Sequence, residues 1–135
     1  MTAKTVYGIG DATFQAAGKE AGVNALVDAF YQQMSALASA QTIRAMHDDD
    51  LTITKDKLFC FLCGWMGGPN LYAQKYGSIL IPLAHSHLDI GTEEIAAWLE
   101  CMQKALEKQP YPEDLQLYLL EKLAQPAGLC QTRPS

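Results

Sequence analysis

The side chains in this chain best suited to chemistry are few: three histidines, His47, His85 and His87, and the cysteine pair Cys60 and Cys63. His85 stands among hydrocarbon, with Ile79, Leu80, Ile81, Leu83, Leu88 and Ile90 close to it in sequence. A neutral imidazole in such surroundings needs partners for its ring nitrogens. A hydrogen-bonded structural histidine and a metal or haem ligand both meet that need. His47 precedes Asp48, Asp49 and Asp50 and reads equally as an exposed turn residue. Trp98 falls on an apolar helical stripe, and its indole N–H wants an acceptor, which a bound polar ligand can supply. Tyr31 flanks another such stripe, with its hydroxyl at the rim. These residues allow a pocket centred on a histidine and decide nothing further.

Cys60 and Cys63 have the C-x-x-C spacing of redox and zinc sites. A zinc site needs a second pair at similar spacing, and Cys101 and Cys130 stand alone. A thioredoxin-like site belongs after a strand, whereas this pair lies inside a helical pattern. The cysteines therefore read as small buried hydrophobes, with Cys60 and Cys63 too constrained by one helix to form an undistorted disulfide.

Composition narrows the function further. A chain of 135 residues with 49% apolar and 19% charged side chains suits one packed domain spanning the whole length. The formal net charge is −5 and there is no run of Lys and Arg, which excludes a nucleic-acid-binding face. The acidic run at 48–50 reads as a solvated turn. The first ten residues lack the pattern of a signal peptide, and no stretch approaches the ~18 apolar residues of a membrane span. A soluble cytoplasmic protein without a membrane partner is the expectation.

The elements that must position these residues are helices. Val23, Leu26, Val27, Phe30, Met34 and Leu37 recur at helical spacing. A second stripe, Leu58, Phe61, Leu62, Trp65 and Met66, is stopped by Gly67-Gly68-Pro69. A third, Ile95, Trp98, Leu99, Met102 and Leu106, starts with Thr92 as the expected N-cap and Glu93 and Glu94 in its first turn. The fourth, Leu115, Tyr118, Leu119 and Leu123, is entered through Pro112 and expected to end at Pro126. Residues 11–17 suggest a brief first helix and 42–46 a single turn. Residues 70–91 predict a long irregular segment with only a turn or two of helix near 83–88.

The run Phe30-Tyr31, Met46-His47, Asp50-Leu51, Phe61-Leu62, Gly67-Gly68-Pro69, Tyr72, Tyr76-Gly77, His85 and Trp98-Leu99-Glu100-Cys101-Met102 resembles the group II truncated haemoglobins. The match spans about residues 18–124, and residues 1–10 form an extension outside it. The resemblance implies an all-α truncated globin, a two-over-two helical sandwich around haem b (iron protoporphyrin IX). By position in that family His85 is the proximal iron ligand. Tyr31, His47, Thr54 and Trp98 fall at distal positions, and Leu58 is an apolar wall of the cofactor site. Lys57 and Tyr72 fall where the haem propionates are met.

The implied function is reversible binding of oxygen and other diatomic gases (CO, NO), with a reductase as candidate protein partner. Tyr31, Trp98 and a nitrogen of His47 would supply up to three donors to the ligand. The alternative within haem chemistry is a peroxidase-like or nitric-oxide-converting enzyme. Outside it stand a dithiol or metal protein built on Cys60 and Cys63, and a haem-free interaction module. The chain departs from the family at Gly18-Lys19, where a Gly-Gly pair is usual, at His47, where Tyr or Phe is common, and at Thr54, where many globins carry His.

Overall fold

The computed structural model describes residues 6–78 and 80–133, apart from the side chain of Leu83. Among the described residues all regular structure is helical. The helices are α1 (Ala12–Ala16), α2 (Lys19–Ala36), α3 (Gln41–Ala45), α4 (Thr52–Trp65), α5 (Leu71–Tyr76), α6 (Ile81–His85), α7 (Thr92–Glu107) and α8 (Glu113–Gly128). A 3-10 turn, Ala38–Ala40, leads into α3. No helix among the described residues is long and apolar enough to cross a membrane.

The stripes explain the layers. α2 packs on α4 and α7, and α7 packs in turn on α8, which gives the two-over-two arrangement. Val23, Leu26, Phe30 and Met34 of α2 are fully buried, as are Leu62 of α4, Met102 of α7 and Leu115, Leu119 and Leu123 of α8. Burial of one such side chain contributes about 2 kcal/mol, so these faces outweigh any single cap or ion pair.

The Gly67-Gly68 pair closes α4 in a Schellman turn, with Gly68 N–H on Cys63 O at 2.8 Å and Gly67 N–H on Gly64 O at 3.0 Å. Gly67 has φ +89°, and a Cβ on it would lie 1.9 Å from Gly10 O. A Cβ on Gly68 would lie 2.6 Å from the Phe14 ring. The residues at and before α1 are thus what presses on these glycines. At the first corner Gly18 has φ +92°, and Lys19, the departure from Gly-Gly, also takes a left-handed φ of +59°. The corner keeps its shape at a backbone cost of about 1 kcal/mol.

Several expected boundaries move. Residues 71–76 are helical rather than irregular, because α5 packs on α4 and a helix too short to stand alone survives on such contacts. The next turn of helix covers Ile81–His85, upstream of the expected 83–88. The N-cap of α7 is Gly91, not Thr92, and Glu94 Oε1 accepts the Gly91 N–H at 2.7 Å. α8 runs through Pro126 to Gly128, since a proline in the last turn forfeits only one backbone bond.

Candidate functional site

Two short helices present the two histidines that matter. His85 is the last residue of α6, half-buried, with Nδ1 2.8 Å from Ile81 O. A carbonyl oxygen only accepts, so Nδ1 carries the proton and Nε2 keeps a bare lone pair. His47 lies two residues beyond α3, also half-buried, with Nδ1 2.8 Å from Ile43 O. Burial, first, lowers the pKa of His47, with Arg44 and His85 opposing its proton further and the Ile43 bond pulling the other way. His47 is therefore neutral at pH 7 and offers a lone pair at Nε2, which reduces the expected proton donors from three to two.

An aromatic chain links His47 to α7. The Tyr31 ring meets His47 edge-on at 5.9 Å and Phe30 at 4.9 Å, and Phe30 lies 4.9 Å from Trp98. Tyr31 is buried, and burial pushes its phenol far above the usual range, so it stays protonated. Neither Tyr31 Oη nor Trp98 Nε1 has a hydrogen-bond partner among the described residues. No sealed-in polar side-chain atom lacks a partner there, so both donors reach accessible space. Phe30, a core position of the α2 stripe, is fully buried and also forms the platform that sets Tyr31 against Trp98.

The other candidates lie on α4 and α5. Thr54 and Leu58, one turn apart, are half-buried, and Leu58 packs on the core. Lys57 is exposed, with Nζ 5.4 Å above the Tyr76 ring, and the Tyr72 ring lies 5.2 Å from the same tyrosine. Tyr76 donates to Asp56 Oδ2 at 2.5 Å, and Lys75 Nζ sits 3.2 Å from Asp56 Oδ1. That Tyr76 bond, more than Lys75, holds the Asp56 carboxyl below its ordinary range and pushes the Tyr76 phenol up to about 12. Lys57 and Tyr72 thus converge on Tyr76, which the family resemblance marks as a matching position without a site role. The Asp56–Tyr76 contact spans twenty residues, and no local pattern announces it.

Other expectations resolve differently. The hydrocarbon around His85 is partial: Leu80 is 58% exposed, Ile90 is buried, and Ile79 and the Leu83 side chain lie outside the described residues. His87 is exposed. The acidic turn does structural work, since Asp50 Oδ1 accepts the Thr52 N–H at 2.9 Å and starts α4. All four cysteines carry free thiols; Cys60 and Cys63 are fully buried, and burial pushes the Cys63 thiol to about 11, far from a working nucleophile.

Known proteins bear on this arrangement. A family model described as bacterial-like globin matches residues 12–130. The group 2 truncated haemoglobin YjbI of Bacillus subtilis (strain 168) is 31% identical over 84% of this chain and 83% of its own. The chain belongs to the bacterial-like globins, among the group II truncated haemoglobins. A group II 2-on-2 haemoglobin from the plant pathogen Agrobacterium tumefaciens superposes with a TM-score of 0.85 at 29% identity, covering 100% of both chains. A structure described as the truncated oxygen-avid haemoglobin from Bacillus subtilis gives 0.79 at 28% identity, over 88% of this globin and 98% of that chain.

Membership implies a haem cofactor and a small gaseous ligand. The residues of this globin fit a haem on their own chemistry. They combine an imidazole with a free Nε2 lone pair, two unpartnered donors of which Tyr31 meets a second imidazole, and a cation and a phenol that both meet Tyr76.

Proposed function

We propose that this globin holds haem b through His85 Nε2 and reversibly binds oxygen and other diatomic gases beside Tyr31, His47, Thr54 and Trp98. The observation that carries the reading is the His85 Nδ1–Ile81 O bond of 2.8 Å. It fixes the tautomer, orients the ring and leaves Nε2 as the only ligating atom, as metal-binding histidines require. Haem, when bound, supplies an iron atom with one open coordination position for the gas.

The chain's own residues do the rest. Lys57 and Tyr72 pair with the anionic edge of the cofactor, and Leu58 gives it an apolar wall. Trp98 Nε1–H is held by a rigid indole against Phe30 and donates to a ligand that draws negative charge onto its outer atom. Tyr31 Oη–H is the second donor, with its ring edge-on to neutral His47 at 5.9 Å. At about 1 kcal/mol per net hydrogen bond, two donors raise ligand affinity roughly 30-fold. The relative described as oxygen-avid supports oxygen as the principal ligand. The His47 lone pair also supports a second, peroxidase-like reading, because it can accept a proton from a peroxide.

An absorption spectrum tests the first statement: an intense Soret band is expected after reconstitution with haem. His85→Ala should lose stable haem or change its ligation, while His87→Ala should leave the spectrum as it is. An unaltered spectrum in His85→Ala would sink the assignment. Steady-state turnover with peroxide separates the two readings of the distal side.

A further inference from the structure

Beyond α8 the chain returns to the segment that follows His85. Thr132 Oγ1 donates to Leu88 O at 2.5 Å and accepts the Ile90 N–H at 2.8 Å. The backbone N–H groups of Thr132 and Arg133 both donate to Ile90 O, at 2.8 and 2.9 Å. Arg133 then spans two carboxylates, with Nη1 2.7 Å from Asp89 Oδ1 and Nη2 2.7 Å from Glu94 Oε1. The Glu94 side chain is only 10% exposed and is the same group that accepts the Gly91 N–H.

This strap engages two carbonyls, an amide and the Asp89 carboxylate of the 88–91 segment, together with Glu94 in the first turn of α7. The guanidinium lies close over Gly91, where a Cβ would fall 2.3 Å from Arg133 Nη2. The strap reaches His85 through one further bond, from Leu88 N–H to His85 O at 3.0 Å. His85 needs such support. α6 is five residues long and, among the described residues, packs extensively on no other helix. α7, by contrast, is anchored on both α2 and α8.

We propose that Thr132 and Arg133 are positioning residues for His85. They lock the 88–91 segment onto the start of α7 and so hold the imidazole in the orientation that retains haem. The proposal rests on the reading of His85 as the haem ligand. A loose 88–91 segment would let α6 swing about its own linker, and the Nε2 direction would spread. Ligand strength and residence of the cofactor both follow that direction.

The test uses the full chain with haem bound. Thr132→Val removes the hydroxyl at nearly constant volume, and Arg133→Gln removes the charge and the fork. In the double variant, haem transfer to a scavenging apoglobin should speed up about tenfold. The iron–histidine stretching band of the ferrous protein should shift or broaden. Amide exchange should accelerate at 86–91 while α2 and α8 keep their protection. Arg133→Lys, which retains one pair with Glu94, should restore part of the slow haem loss.

Faster exchange at 86–91 with an unchanged band and haem-loss rate would overturn the proposal, because the strap would then hold a loop and not the imidazole. Uniformly faster exchange in all helices would overturn it as well, by reducing the strap to general stability. If His85→Ala keeps the native spectrum, the ligand assignment itself fails, and that result is independent of how the strap variants behave.

Discussion

His47 and His85 are built with the same local device and set in opposite surroundings. Each follows or ends a five-residue helix, and each gives its Nδ1 proton to the carbonyl four residues earlier at 2.8 Å. His47 is backed by α3, which packs on α2 and α7, and faces the Tyr31 ring. Its proton affinity falls because it is buried beside Arg44. His85 sits on a helix with little packing of its own and depends on a strap arriving from beyond α8. The difference teaches that one hydrogen bond chooses a tautomer, while the layer behind it chooses the role. A rigidly backed imidazole suits proton bookkeeping beside a ligand; a tethered one with a free lone pair suits ligation.

The sharpest way to break the comparison is to remove each imidazole in turn. His85→Gly should lose haem retention almost completely, and free imidazole in solution should restore the Soret band. His47→Ala should keep the band without added imidazole. If both variants lose haem equally, or neither does, the two histidines do not differ as described.

A smaller effect is expected on the distal side. Trp98→Phe and Tyr31→Phe should each speed oxygen release, by about tenfold for every ~1.4 kcal/mol of hydrogen bonding removed. Carbon monoxide, with less charge on its outer atom, should respond less. Because the Tyr31 hydroxyl can rotate while the Trp98 N–H is fixed in its ring, Tyr31→Phe should give the milder change, and the double-mutant cycle reports the coupling. Stopped-flow displacement reads all of these. Equal changes for both gases would mean that the rings act by filling space.

The pH dependence of stability separates His47 from the rest of the site. Unfolded, it takes a proton near pH 6.5; folded, burial keeps it neutral to a lower pH. Between those two values the unfolded chain binds more protons, so stability falls as pH drops through the window. The slope is at most about 1.4 kcal/mol per pH unit. His47→Phe should flatten that slope in urea titrations run from pH 7 downward, and an unchanged slope would refute the burial argument.

The smallest effect comes from a residue remote in sequence from both imidazoles. Lys19→Gly relieves the left-handed backbone at φ +59° and gives back part of that gain as unfolded-chain entropy. A net stabilisation of about 0.5 kcal/mol is expected in the urea midpoint, with no change in haem loss or gas release. A change in either rate would show that the first corner communicates with the site.

Much of this protein can be read from its residues alone. Apolar side chains at helical spacing determine α2, α4, α7 and α8, because each stripe has to be buried and only helix-on-helix packing buries all of them. The Gly67-Gly68-Pro69 stop and the candidate residues are equally legible, since each depends on side-chain type or on neighbours within a turn. What tertiary structure alone decided lies where partners are distant in sequence. α5 is tied to α4 through Asp56 and Tyr76, residues 20 apart, and Arg133 meets Asp89 and Glu94 from 44 and 39 residues away. Neither local propensity nor periodicity encodes such meetings. The same holds for His47: its type marks it as a candidate donor, but only the Ile43 carbonyl and the burial around it make it an acceptor. Side-chain chemistry sets what a residue is able to do, and the field and hydrogen bonds assembled by folding set which of those things it does.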